Sequence, residues 1–457
     1  MGLTSGRATF SRFKVEGDAP LAVDQALIDP AAEAHFQESP HGTPDEVETG
    51  WCAGDHLFDM QFSYEKNGFG DMLLLAMRMD THRIPAEVKK AYRLMHEQAA
   101  AASNPTGFAT REQKREAADM AGQQIHEDLV AGRFRRSRLV PVLWDLRRGW
   151  VYSSASGNAV TEALMGLFRR TFELELTAMT AGALATHLMH QRGHSRDIED
   201  MRPSPFTPPP PQARSRADDA EPQHEITTPT VPWAFGGIDS RDFVGNEWLI
   251  WLWYLCENEE GLVKVPGSAD GRERELAITL FKSLEMECAW HASGRQTLKA
   301  HAPTQLPEAA EALAEGKWPR KTGMIVADTE GGEGEQFELT LQADRLQVSA
   351  ALLPMLKDAE TPREVTEHRL QQVRHLTDTL DRLMEAFLQR RTGSGWPTLR
   401  GHIRSWIAHR QRQASTPASA PATAPAASPA PPHEPATDPT PEPEPAGATL
   451  KLASGEG

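Results

Sequence analysis

The sequence predicts an α+β fold in two mixed halves, and three observations carry that prediction. Apolar runs such as ATFSRFKVEG (8–17), which alternates, and DMLLLAMRMD (71–80), which is continuous, read as strands. Capped helices with a clear period stand among such strands in both halves. A proline-rich stretch, 202–232, holds nine of the 34 prolines and divides the halves, and a second, 413–457, holds eleven and ends the sequence. Such segments have too few apolar side chains to offset their ordering entropy and are expected to be disordered. The chain is therefore divided into an N-terminal half (1–201), a linker (202–245), a C-terminal half (246–392), a basic helix (393–412) and an acidic tail (413–457). Each half is long enough to bury a sizeable core.

In chain order, Pro85 opens a helix over AEVKKAYRLMHEQAAAA, NPTGFA breaks it, and Thr110 with Gln113 forms a capping box for a second helix that stops at Gly132. The two make a charged helical hairpin over 85–131. PVLWDLRRGWVYSS reads as two strands about a turn at Arg148-Gly149, and NAVTEALMGLFRRTFELELTAMT as a helix running into a strand. In the second half, EWLIWLWYLCEN (247–258) is a buried element far too short to span a bilayer, and ECAWHA (287–292) and TLKAHA (297–302) are strand-like. A helix over 306–316 precedes KWPRKTGMIVADTE and a hairpin across GGEGE into FELTLQADRLQVSAALLP. Thr361-Pro362 with Glu364 starts a long helix ended by Gly393, whose Val365, Leu370, Val373, Leu376, Leu380, Leu383, Met384 and Phe387 form one apolar stripe. That stripe is core, or packing surface for a second subunit. Leu399, Ile403, Trp406 and Ile407 give the last helix an apolar face able to dock on the body.

Charge points to a partner. The formal net charge is −16, yet 133–148 carries six arginines (Arg133, Arg135, Arg136, Arg138, Arg147, Arg148) against Asp145 alone, and 390–412 carries six more, Arg390, Arg391, Arg400 and Arg404 among them, with no acid. Arginine's planar, permanently charged fork suits phosphate, and Phe134 offers a ring on which a base can stack. Nucleic acid bound through local patches on an acidic body is the reading this supports; a solvated basic edge is the plainer alternative. Cys52, Cys256 and Cys288 show no paired spacing, as expected in a reducing cytoplasm, and no secretory start is visible.

No catalytic or cofactor motif emerges. His187, His190 and His194 share a helical face but lack the glutamate of a zinc-protease helix, and are read as surface histidines. Cys288 and His291 have no second ligand pair, and GFGDM (68–72) is read as a turn. A nuclease would have to assemble Glu173, Glu175 and Asp145, which nothing in their spacing indicates. No metal and no cofactor is expected. The alternatives to a DNA-binding protein are a metal-dependent nuclease using the same basic patches and a scaffold that recruits proteins.

The order of these elements resembles the recombination-associated protein RdgC family. In the first half the resemblance rests on Gly50-Trp51, Arg78, Pro85, Val88, Lys89, the R-F-R-R of 133–136, Asp145 and Gly149. In the second it rests on Glu247-Trp248, the stretch from Glu308 to Lys321, and the hairpin into FELTLQADRLQV. It covers roughly 8–200 and 245–392. The resemblance implies a non-catalytic, nucleoid-associated DNA-binding protein that closes as a homodimeric ring on duplex DNA and restrains RecA-promoted recombination. It also implies that the hairpin protrudes and that Lys89, with its neighbour Lys90, Arg133, Arg135 and Arg136 lie toward DNA. The proline-rich insertion, the tryptophan-rich 248–255 and everything after 393 depart from the family pattern.

Overall fold

The computed structural model describes residues 2–38, 47–155, 157–211, 228–234, 240–267, 272–330, 336–356 and 358–415. The GGEGE turn, the middle of the linker and the tail from 416 lie outside the described residues.

The strands assemble into one antiparallel sheet in the order β10-β9-β11-β12-β13-β1-β6-β5-β4-β2, with β3 added to β4, β7 to β1 and β8 to β9. In the first half these are β1 (Ala8–Glu16), β2 (Val47–Cys52), β3 (Gly68–Phe69), β4 (Met72–His82), β5 (Arg135–Asp145), β6 (Trp150–Ser153) and β7 (Glu175–Ala178). The second half supplies β8 (Leu262–Val265), β9 (Arg274–Cys288), β10 (Gln296–Ala300), β11 (Lys317–Asp328), β12 (Gln336–Gln342) and β13 (Gln347–Leu352). β1 joins the halves: Ala8 and Phe10 pair with β13, and from Ser11 onward it pairs with β6 and β7. The expected strand ECAWHA is only the end of β9, a 15-residue strand that the apolar pattern did not single out, and 289–292 form a turn.

In the first half the sheet is covered on both faces, which explains why β4 reads as a continuous apolar run, whereas in the second half strands such as β12 alternate buried and partly exposed residues. Leu73, Leu75, Met77 and Met79 point to one core, with α1 (Gln25–Glu33) and α5 (Asn158–Phe172), while Met72 and Leu74 belong to the other. That second core spans both halves. It holds α6 (Ala181–Gln191), the tryptophan-rich α8 (Phe243–Asn258), α9 (Pro307–Ala314), α10 (Pro362–Thr392) and α11 (Trp396–Ser415). α8 is buried on nearly every side and lies so close to the sheet that a Cβ on Gly245 would stand 2.3 Å from the carbonyl oxygen of Ala343. Gly50 is fixed in the same way, because a Cβ there would meet the backbone of Phe36 at 2.3 Å. Among the described residues no helix is long and apolar enough to cross a membrane.

α10 clamps the two halves. Arg374 donates to Asp145 at 2.6 Å and to Asp71 at 2.7 Å, and Arg12 grips Asp381 through two bonds of 2.6 and 2.7 Å. Its apolar stripe is buried in the chain's own core from Leu370 to Phe387, leaving Val365 47% exposed. Of the two readings of the stripe the structure bears out the first: it is core, and its packing partners are supplied within the chain rather than by a second subunit.

The linker expectation is corrected at both ends. Ser204 donates its amide to Glu247, and Phe206, 2% exposed, fits edge-on between Trp318 and Trp396. Thr230 and Val231 bond to the carbonyl of Ala289, and Trp233 Nε1 donates to Asn246 at 3.0 Å. Prolines excluded these segments from helix and sheet, but not from the core.

Candidate nucleic-acid interface

The helical hairpin consists of α3 (Ala86–Ala102) and α4 (Arg111–Val130). The capping box at Thr110 and Gln113 forms as expected. Helix α3 buries no residue, and α4 buries little beyond Ala117, Ala121, Asp128 and Leu129. The two helices hold each other: small alanines let them approach, Tyr92 donates to Asp128 at 2.5 Å, and His96 bonds Gln124 at 3.1 Å. The hydrogen bond to Asp128 is the chief cause that raises the Tyr92 pKa above its ordinary value.

The arginine run does not form one patch. Most of it is strand β5, whose eleven residues span about 33 Å at roughly 3.3 Å per residue. Arg133, Phe134, Arg135, Arg136 and Arg138 lie at the hairpin root, whereas Arg147 and Arg148 occupy the turn beyond the other end. At the root, Arg133 donates to Asp128 at 2.9 Å, and Arg135 is ion-paired with Glu38 and lies 4.0 Å from Asp80. Phe134 is half-buried. Arg136 and Arg138 are exposed, two residues apart and so on one side of the strand, with no ion-pair partner among the described residues. At the far end Arg148 pairs with Asp378, and burial lowers its pKa.

The β4–β5 register sets His82 opposite Arg135 and thereby brings the entry of the hairpin beside its exit. There Arg83, Lys89 and Arg136 converge on a cleft of about 530 Å³ that Ile84, Pro85 and Ala86 complete and whose floor includes buried His82. Three cations with no acid among the lining residues, at the N-terminus of a 17-residue helix, make a positive notch suited to phosphate groups. Lys90 is exposed one residue beyond. Arg83 was missed by reading the sequence, since it precedes the arginine run by fifty residues; the signal was its place at the end of β4, which antiparallel pairing brings beside the root of β5.

The second basic segment is divided by burial. Arg391 donates to Glu247 at 2.7 Å and stacks over Trp396, and Arg410 pairs with Glu257 at 3.2 Å over Trp253. Arg391, a candidate for contacting nucleic acid, is thus a core ion pair. Arg404 is exposed, Arg400 is half-buried, and Arg390 lines a different cleft.

The residues of the alternatives are scattered. Asp145 is buried beneath Arg374, while Glu175 stands on the surface 3.6 Å from Arg169. His187 packs edge-on against Trp150, whereas His190 and His194 are exposed. Among the described residues no group of three His, Cys, Asp or Glu side chains is placed to hold a metal ion. Several residues that carry the family resemblance act in the fold. Arg78, lying over the rings of Phe36 and Phe58, forks onto Asp80 at 3.0 and 2.7 Å, and Asp145 and Glu247 each receive an arginine from α10. No family model matches the chain, and neither does any curated protein sequence.

Proposed function

We propose that this chain is a non-catalytic, sequence-independent DNA-binding protein of the RdgC type, which limits RecA-type strand exchange by occupying DNA. The observation that carries the reading is the notch of Arg83, Lys89 and Arg136 at the root of the helical hairpin, with Arg138 and Lys90 beside it, in a chain of net charge −16. Cations that line a cleft with no acid among its lining residues supply a counterion-releasing surface. The homodimeric ring, nucleoid association and antagonism of RecA rest on the resemblance in sequence alone.

Fluorescence anisotropy with unrelated duplexes at several salt concentrations tests the proposal. Affinity is expected to fall log-linearly with salt, at roughly 0.9 per neutralised phosphate, with scrambled duplexes binding alike. A strong preference for one sequence, or Mg²⁺-dependent loss of the duplex on a gel, would overturn it.

A further inference from the structure

A second cleft, of about 600 Å³, lies where α8 and β8 meet the corner between α10 and α11. Its floor is apolar: Trp251, Leu255, Val263 and Ala386 line it and are each at most 6% exposed. Its rim carries Lys264, Arg390 and His402 against one acid, Glu259. Neither Lys264 nor Arg390 has a side-chain partner among the described residues, and Glu275, opposite Lys264 in the β8–β9 register, makes no ion pair with it. The next residue, Arg391, is locked to Glu247. The end of α10 and the start of α11 both face this corner, and their opposed half-charges largely cancel, so the two whole positive charges of Lys264 and Arg390, against the one negative charge of Glu259, set the local field.

We infer that this cleft binds a small amphiphilic anion, whose apolar body lies on Trp251, Leu255 and Val263 and whose phosphate or carboxylate is held between Lys264 and Arg390. A cleft of this size holds one small molecule, and an apolar floor with a few polar groups at the rim is how such sites bind and orient their ligands. The inference is independent of the DNA-binding proposal, because the hairpin-root notch contributes no residue to it.

Calorimetric titration of the full chain with decyl phosphate below its micelle concentration, with decanol and with inorganic phosphate tests the inference. Decyl phosphate should bind at least tenfold more tightly than either fragment. The exposed double variant K264Q/R390Q should weaken decyl phosphate at least tenfold while leaving decanol unchanged, with an unaltered thermal melt. Filling the cleft from exposed Thr398 with T398W should abolish both. Equal binding of decyl phosphate by the wild type and the double variant, or no binding by the folded wild type, would overturn the inference.

Discussion

In segment 133–148 the arginines lie on or beside one β-strand and in 390–412 on the end of one helix and along the next, and the geometry of each element decides which charges reach solvent. The first four residues of β5 overhang the core, so Arg136 and Arg138 stay exposed although every residue from Val142 to Asp145 is buried. On α11 the docked stripe of Ile403, Trp406 and Ile407 carries Arg410 inward with it, while Arg404 falls off the stripe and Arg400 at its margin. Equal counts of arginine thus leave Arg136 and Arg138 accessible at the hairpin root in the first segment, and in the second make internal clamps of Arg391 and Arg410 while Arg390 and Arg404 stay exposed. Arginine density in a sequence measures available charge, and burial of the element decides its use.

The largest expected effect breaks a clamp. Arg391→Gln leaves Glu247, which has no exposed surface, without its cationic partner, and should destabilise the fold by about 3 kcal/mol, since breaking a buried pair costs roughly 3–5 kcal/mol. Arg136→Gln, on the overhanging strand end, should change stability by about 0.5 kcal/mol or less, as for most exposed sites. Denaturant titrations compare the two, and equal losses would erase the distinction. A smaller effect concerns the far end of β5. Arg147→Gln with Arg148→Gln removes the half-exposed pair with Asp378, and should cost about 1 kcal/mol or less while leaving the salt dependence of DNA binding unchanged. A flattened dependence there would restore 133–148 as a single patch. The smallest effect belongs to the tail, where Glu434, Asp438, Glu442, Glu444 and Glu456 outweigh Lys451. Truncation after Ser415 should tighten DNA binding no more than about twofold at low salt, the gain vanishing as the Debye length shortens to about 8 Å near 0.15 M. Truncation after 392 cannot make the same comparison, because it strips Ile403 and Ile407 from the core.

Local signals were legible in the sequence. The capping box at Thr110 and the helix start at Thr361 depend on residues a few positions apart, and the structure shows both. Long-range partnerships were not legible. The linker looked disordered because it has few apolar side chains to offset its ordering entropy, yet one of those few, Phe206, finds Trp318 and Trp396 from more than a hundred residues away. β9 alternates over only part of its length and contacts two helices as well as three strands, so no single period marked it. The notch was partly legible: Arg136 stood out by charge and Lys89 through the family resemblance, whereas Arg83 joins them only through strand register. Arg135 stood out equally, and Glu38 with Asp80 takes it up.

The central claim, that accessible charge at the hairpin root binds DNA, is tested most directly by the salt dependence of duplex affinity in two variants. One carries Arg83→Gln, Lys89→Gln and Arg136→Gln, and the other Arg400→Gln and Arg404→Gln. The root variant should lose about two to three units of log–log slope and the helix variant less than about one, at roughly 0.9 per phosphate contact. An unchanged slope in the root variant, with the loss appearing in the helix variant, would contradict the account.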